Sequence, residues 1–173
     1  MVCVANLLPN KGHRCLLEAF EDGYLKYNHM TLLLVGDGVQ KNALIKQISA
    51  YRSKNNIKFL GKRSDVAKIL SVSQIFVLPT LFEGMSNAIM EAMASRLAVV
   101  VSDIPENREL VKHGFNGLLF PVNNSRCLSN LISSVIDNPA LRQALGNNAF
   151  NTIAANYKLE RVVKLWEEYY EKF

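Results

Sequence analysis

The chain has 173 residues, of which 49% are hydrophobic and 20% are charged, so it is long and apolar enough to bury the core of one globular domain. This composition excludes an intrinsically disordered chain, and the longest apolar runs are far shorter than the ~20 residues of a membrane-spanning helix. Twenty basic against fifteen acidic residues give a net charge of +5, which favours an anionic ligand or surface.

Short runs rich in Val, Ile and Leu alternate with amphipathic stretches of helical length, which is typical of strand–helix units around a parallel sheet. Strands are expected at residues 2–5, 31–35, 57–60, 74–78, 98–101 and 118–120, and helices at 13–27, 40–53, 65–71, 87–95 and 125–173, the last interrupted at 137–139. We therefore predict an α/β fold, a Rossmann-like doubly wound sheet of about six parallel strands with helices on both faces and a helical C-terminal third.

Two loops after predicted strands contain glycines beside polar groups. Residues 6–12 place Lys11 and Gly12 next to the start of a helix at His13, which suits a phosphate but equally suits an ordinary turn. Gly36 and Gly38 let the backbone approach a ligand closely, and the alternative is a tight turn in which Asp37 caps the next helix.

The third loop, residues 79–91, leads from the fourth strand into a helix that begins near Ser86 or Asn87. Gly84 would expose backbone N–H groups at the positive end of that helix, where they can hold an anion. Glu83 and Glu91, eight residues apart, can place two carboxylates at one crevice. Alternatively, Ser86 or Asn87 caps the helix and both glutamates only favour its dipole.

The three loops, in this order and spacing, resemble the C-terminal half of the retaining family-4 glycosyltransferases, which have the two-domain GT-B fold. The resemblance covers nearly the whole chain, through the segments VANLLPNKGH, LLLVGDG, FLGKRSDV, VLPTLFEGMSNAIMEAMA, VVVSDIPENRELV, GFNGLLFPV and DNPALRQALG. It implies that residues 1–173 form the domain that binds a nucleotide-diphosphate sugar, and that an N-terminal acceptor domain is missing.

The resemblance also implies roles for individual residues. Glu83 and Lys11 would be catalytic, Glu83 facing the transferred sugar and Lys11 the donor diphosphate. Glu91 would hold the ribose hydroxyls, so its replacement should affect nucleotide and nucleotide sugar alike, whereas replacement of Glu83 should affect chiefly the sugar step. The remaining donor-binding residues would be Asn6, Gly36, Gly38, Lys62, Arg63, Gly84, Met85, Ser86 and Asn87.

One departure concerns Asn6, because many members of the family have an arginine there that assists Lys11. Asn6 can still donate a hydrogen bond, and Lys62 or Arg63 can compensate for the lost charge. A non-catalytic nucleotide-binding or interaction module of the same fold is the alternative function. An epimerase of similar fold is a further one, which would interconvert the nucleotide sugar without an acceptor.

The expected partners are the nucleotide-sugar donor and a glycan or lipid-linked acceptor, with peripheral membrane association compatible with the latter. Only one aromatic residue, Phe59, lies among the basic residues between 54 and 68, so nucleic acid is not expected. Three histidines and three cysteines show neither metal-ligand spacing nor a disulfide framework, and no metal is expected. The N-terminus lacks a charged leader, so we expect a cytoplasmic protein, and a lipid-linked acceptor would bring it to the inner face of the membrane.

Overall fold

The computed structural model describes residues 1–157, which contain one sheet of six parallel strands. The strands are β1 (Val2–Val4), β2 (Leu32–Val35), β3 (Ile57–Gly61), β4 (Ile75–Leu78), β5 (Ala98–Ser102) and β6 (Leu118–Phe120). Their order in the sheet is β3-β2-β1-β4-β5-β6. The chain thus winds outward from β1 to β3, returns, and winds outward again from β4 to β6, which confirms the predicted doubly wound sheet.

Seven α-helices cover the sheet. They are α1 (His13–Tyr24), α2 (Lys41–Ile48), α3 (Val66–Ser71), α4 (Asn87–Ala94), α5 (Pro105–Leu110), α6 (Ser125–Asp137) and α7 (Pro139–Asn156) within residues 1–157. Helix α1 contacts α2, and α3 contacts α4. With this strand order, the right-handed rule for crossovers between parallel strands puts α1 and α2 on one face and α3, α4 and α5 on the other. In the C-terminal part, α6 packs against α1, and α7 packs against α4 and β5.

The core lies on both faces of the sheet, because β4 and β5 are buried along their whole length. This is why these strands are continuously hydrophobic instead of alternating between apolar and polar residues. Phe20 of α1, Phe76 of β4 and Phe120 of β6 are at most 1% exposed, and burial of each such side chain contributes about 1.5–3 kcal/mol to stability. The core therefore fixes the strand ends, and with them the loops at the carboxyl edge.

Two predicted helices end earlier in the structure, and one further helix was not predicted. The helix predicted at 40–53 ends at Ile48 and is followed by a 3-10 turn, Arg52–Asn56, because the Glu21 carboxylate of α1 accepts hydrogen bonds from the backbone N–H groups of Arg52 and Ser53. The helix predicted at 13–27 ends at Tyr24. Helix α5 was not expected, because its six residues, PENREL, carry little hydrophobic periodicity.

The interruption predicted at 137–139 is confirmed. Asn138 precedes α7, its side chain accepts a hydrogen bond from the Leu141 N–H, and Pro139 takes the first helical position. The part of the predicted C-terminal helix beyond Tyr157 lies outside the described residues. Within residues 1–157, no helix combines the length and apolar character needed to cross a membrane.

Candidate functional site

An open cavity of about 580 Å³ lies at the carboxyl ends of β1, β2 and β4. Strands β1 and β4 are neighbours from which the chain winds in opposite directions, and such a switch point is where open α/β sheets bind ligands. The cavity brings together most of the predicted site residues, namely Asn6, Lys11, Gly36, Lys62, Arg63, Glu83, Met85, Ser86 and Asn87. Gly38, Gly84 and Glu91 do not line it.

The loop after β1 is held against the loop after β4. Gly12 has a φ of +66°, and a Cβ built on it would lie 1.9 Å from the Pro79 carbonyl oxygen, so only glycine fits there. The Leu81 N–H donates a hydrogen bond of 2.7 Å to the Asn10 carbonyl oxygen. These contacts fix Lys11, which follows Asn10, relative to the residues that precede Glu83.

Lys11 and Glu83 form an ion pair across the two loops. Lys11 Nζ lies 2.6 Å from Glu83 Oε1, and the two side chains are 18% and 12% exposed. Because both are largely shielded from water, their attraction is screened less than that of a surface pair. The two residues that the family resemblance marks as catalytic therefore touch each other, although 72 positions separate them.

A buried polar network beneath the ion pair was not predicted from the sequence. Thr80 Oγ1 lies 3.1 Å from the Asn10 carbonyl oxygen and 2.9 Å from that of Phe82. The Ser102 hydroxyl donates to the Thr80 carbonyl oxygen, and the Asn107 side-chain amide donates to the Ser102 carbonyl oxygen. All three side chains are at most 1% exposed. Polar residues ending two apolar strands, at Thr80 and Ser102, were the signal that could have revealed it.

His13 and Cys3 lie behind Lys11 and are buried. Burial, and then the positive charge of Lys11, lower the pKa of His13 to about 4, while burial raises the pKa of the Cys3 thiol to about 12. Their closest polar atoms, His13 Nε2 and Cys3 Sγ, are 3.9 Å apart. Both groups are therefore uncharged at neutral pH, so neither of them neutralises or repels the Lys11 ammonium.

The loop after β2 contributes Gly36 to the cavity. Gly36 has a φ of +139°, and a Cβ on it would lie 2.0 Å from the Ala5 carbonyl oxygen. Asp37 accepts a hydrogen bond from the Gly38 N–H and pairs with Lys41 Nζ at 3.4 Å, and the first of these contacts is the main reason for its lowered pKa. Gln40, and not Asp37, precedes α2, so Asp37 stabilises the turn and does not cap the helix.

The loop after β3 contributes Lys62 and Arg63, both exposed. The guanidinium of Arg63 donates two hydrogen bonds of 2.8 Å to the Asp65 carboxylate, which raises the pKa of Arg63 and lowers that of Asp65. Lys62 makes no ion pair with any of residues 1–157. Of the two residues expected to replace the arginine absent at position 6, Lys62 has the charge freer for a ligand.

The start of α4 borders the cavity through Ser86 and Asn87. Ser86 stands at the N-cap position, but its side chain makes no capping hydrogen bond, so the alternative in which Ser86 caps the helix does not hold. Gly84 is exposed, beside the cavity lining, and Glu91 is exposed on α4. Of the two glutamates expected at one crevice, Glu83 therefore lines the cavity and Glu91 does not. The role of Glu91 in binding the ribose stays a prediction.

The cavity lining as a whole carries three cationic side chains, those of Lys11, Lys62 and Arg63, and one carboxylate, that of Glu83. This excess of positive charge, together with the first turn of α4, suits a multiply charged anion. Within residues 1–157, no group of three or more His, Cys, Asp or Glu side chains is placed to hold a metal ion. The arrangement can therefore offer an anion charged side chains and backbone N–H groups.

Comparison with known proteins identifies the family. The family described as "Glycosyl transferases group 1" matches residues 1–152, and this chain belongs to it. The UDP-Gal:alpha-D-GlcNAc-diphosphoundecaprenol alpha-1,3-galactosyltransferase of Escherichia coli is 34% identical over 175 residues, covering 96% of this chain and 44% of that protein. A Campylobacter jejuni N,N'-diacetylbacillosaminyl-diphospho-undecaprenol alpha-1,3-N-acetylgalactosaminyltransferase is 32% identical, covering 95% and 45%. The chain thus spans about half the length of these curated relatives.

Solved structures agree with this assignment. HepE of Anabaena, crystallised in complex with UDP, superposes with a TM-score of 0.93 at 25% identity, covering 99% of this chain and 48% of that one. The isolated C-terminal domain of LpcC from Francisella tularensis superposes with a TM-score of 0.83 at 20% identity, covering 91% and 86%. The second likeness concerns the fold alone. The family and fold predicted from the sequence are therefore confirmed.

Proposed function

We propose that this chain is the donor-binding half of a retaining glycosyltransferase, which transfers a hexosyl group from a nucleotide-diphosphate sugar to a hydroxyl acceptor. The observation that carries the proposal is the cavity at the switch point of the sheet, where Lys11, Lys62 and the start of α4 converge on one anion-sized space. The relatives' names support a uridine diphosphate donor, since the E. coli relative uses UDP-Gal and HepE binds UDP.

In the proposed reaction, the bond between the anomeric carbon and the donor phosphate oxygen breaks, and negative charge grows on the departing diphosphate. Lys11 and the backbone N–H groups of residues 84–87 stabilise that charge, and because they are held in place beforehand, they need not reorganise as it develops. The acceptor hydroxyl oxygen bonds to the anomeric carbon on the same face, and its proton passes to an oxygen of the leaving phosphate. Same-face substitution gives retention.

The acceptor would be bound by a further domain that completes the cleft. Both the E. coli and C. jejuni relatives carry a diphospho-undecaprenol acceptor in their names, which supports a lipid-linked or polysaccharide-precursor acceptor here. We accordingly propose a cytoplasmic protein that works at the inner face of the membrane. We also propose that no metal is needed, because lysine side chains and helix N–H groups meet the diphosphate charge.

The test is calorimetric titration of the 173-residue chain with UDP, GDP, ADP and their common hexosyl derivatives, in the presence and absence of EDTA. We expect saturable binding of one nucleoside diphosphate and its sugar derivative, unaffected by EDTA. We also expect no sugar transfer by this chain alone, because an open half-site neither positions an acceptor nor excludes water. Binding of none of the nucleotides would refute the proposal.

The alternative, a non-catalytic module of the same fold, is separated by the longer protein. When the chain is joined to its acceptor domain, a transferase must release nucleoside diphosphate in proportion to the glycoside formed, whereas a binding module retains the donor unchanged. Interconversion of the sugar without an acceptor would instead indicate an epimerase.

A further inference from the structure

The ion pair between Lys11 and Glu83 has a consequence for which ligands the cavity holds. The Lys11 ammonium is the cation proposed to meet the donor diphosphate, yet its nearest anionic partner is already the Glu83 carboxylate at 2.6 Å. An incoming phosphate must share or displace that partner, and the phosphate and the carboxylate also repel each other. Glu83 therefore opposes the binding of any diphosphate that offers the carboxylate nothing in return.

The two loops prevent the pair from simply drifting apart. The Asn10 carbonyl oxygen, next to Lys11, accepts from the Leu81 N–H at 2.7 Å, and the Thr80 hydroxyl lies within 3.1 Å of both the Asn10 and Phe82 carbonyl oxygens. Phe82 immediately precedes Glu83. Hydrogen bonds thus join the backbone next to Lys11 to the backbone next to Glu83. Because the fold holds the two side chains together, a phosphate that binds Lys11 must compete with the carboxylate.

The surroundings offer few substitutes for Lys11. His13 behind it is uncharged at neutral pH, because its pKa is lowered to about 4. The Arg63 guanidinium is engaged by both carboxylate oxygens of Asp65. Among the cations that line the cavity, only Lys62 makes no ion pair with residues 1–157. When Lys11 is paired with Glu83, Lys62 is therefore the one lining cation within residues 1–157 that has no carboxylate partner and can attract a phosphate in its place.

We propose that Glu83 is a specificity-determining residue that makes the site favour the nucleotide sugar over the nucleoside diphosphate left after transfer. The proposal rests on the proposed function. When the sugar is present, its hydroxyls donate hydrogen bonds to the Glu83 carboxylate. These hydrogen bonds replace the part of the contact with Lys11 that the carboxylate loses to the phosphate. Once the sugar has left, that compensation is gone, Glu83 returns to Lys11, and the product is released.

The two ligands also differ in charge. A diphosphate esterified at both ends carries two negative charges, whereas a nucleoside diphosphate has a terminal phosphate whose second ionisation occurs near pH ~6. Above that pH the free nucleotide carries about one more negative charge, close to the Glu83 carboxylate. The cations of the lining attract this extra charge and the Glu83 carboxylate repels it, so Glu83 limits the gain in UDP affinity as the pH rises through this range.

The experiment measures the dissociation constants of UDP and of UDP-glucose, UDP-galactose and UDP-N-acetylgalactosamine with the 173-residue chain at pH 5.5 and 8.0. The variants are Glu83→Gln and, as a matched control, Glu109→Gln, which removes an exposed carboxylate that neither lines the cavity nor forms an ion pair within residues 1–157. Glu83→Gln should bind UDP about tenfold more tightly at pH 8.0, because Lys11 then has no carboxylate partner to give up for the phosphate. This departs from the expectation, implied by the family resemblance, that replacement of Glu83 affects chiefly the sugar step. Binding of the preferred nucleotide sugar should change less than about threefold, because the amide keeps one acceptor oxygen.

In Glu83→Gln the affinity for UDP, relative to that for the nucleotide sugar, should rise more steeply between pH 5.5 and 8.0 than in wild type, a readout that a merely structural role would not move. In the Lys11→Met background, Glu83→Gln should tighten UDP binding clearly less, because only the direct repulsion between carboxylate and phosphate is then removed and no ammonium is released. A ratio that Glu83→Gln leaves unchanged, or equal weakening of both ligands, would overturn the inference. Failure of the wild-type chain to bind any of these ligands would instead refute the proposed function.

Discussion

The two loops that meet at Lys11 and Glu83 use glycine in opposite ways. Gly12 has a φ of +66°, and a Cβ on it would lie 1.9 Å from the Pro79 carbonyl oxygen. Gly84 lies outside the left-handed region, and beyond its chain neighbours no atom comes within 4 Å of a Cβ built on it. The fold thus requires glycine at position 12, whereas nothing in the fold requires it at position 84.

This difference divides the candidate site into two parts. The clamped part, residues 6–12 with 79–82, is held by the Gly12 contact and by the hydrogen bonds of Thr80, and it fixes Lys11. The open part, residues 84–87, contains the exposed Gly84, Met85 and Asn87. A residue that packing does not explain is a candidate for ligand contact. Stability should therefore respond to changes in the clamped part, and ligand affinity to changes in both.

The largest effect is expected for Gly12→Ala. The new methyl group would meet a backbone oxygen, which cannot move aside as a side-chain end can, and alanine would also be strained at this φ. We expect a loss of at least ~3 kcal/mol in the free energy of unfolding, measured by urea denaturation. Gly84→Ala is the matched control. A loss below ~1 kcal/mol for Gly12→Ala would mean that the two loops are not clamped together.

The clamped part should also weaken in acid, through His13. The pKa of His13 is about 4 when folded, against an ordinary value of 6.5. Above pH 6.5 the imidazole is neutral in both states and its contribution to stability is intact. Between pH 6.5 and 4 only the unfolded chain takes up the proton, so stability falls with pH, by about 3 kcal/mol in total.

Urea denaturation of wild type and His13→Gln between pH 4 and 7.5 measures this contribution. The variant should lose the corresponding part of the slope, while the carboxylates common to both proteins still titrate. His29→Gln, which removes an exposed imidazole, is the matched control. Parallel pH profiles for wild type and the His13 variant would show that burial of this ring does not depress its protonation.

A smaller change, confined to ligand binding, is expected for Lys11→Ala. Loss of a hydrogen bond to a charged group should weaken nucleoside diphosphate binding by about 1.5–3 kcal/mol, measured by calorimetry. Thermal stability should change far less than for Gly12→Ala, because the pair borders an open cavity in which water can solvate the Glu83 carboxylate left behind. Lys26→Ala is the control, since Lys26 is also in an ion pair, with Asp137, but far from the cavity. If the two variants bind nucleoside diphosphate with equal affinity, the loop after β1 is an ordinary turn and does not bind the phosphates.

The sequence was sufficient for the sheet, because buried parallel strands are continuous apolar runs, and for the cavity, because its residues follow those strands directly. It was not sufficient where distant residues decide the local structure. The helix predicted at 40–53 stops early because Glu21 takes the N–H groups of Arg52 and Ser53. The contact of Lys11 with Glu83 depends on the neighbouring positions of β1 and β4, which no local pattern records.

The smallest effect on stability is expected at the open part of the site, for Gly84→Ala. The added methyl group meets no protein atom beyond its chain neighbours, and the backbone there is not left-handed, so the free energy of unfolding should stay within about 0.5 kcal/mol of wild type. If the backbone of residues 84–87 approaches the donor phosphates as proposed, the same methyl group stands at the ligand and should weaken nucleoside diphosphate binding severalfold. Urea denaturation and calorimetry on one preparation measure both quantities. A variant with wild-type stability and wild-type affinity would exclude Gly84 from the ligand contacts, and the open part would then begin at Met85.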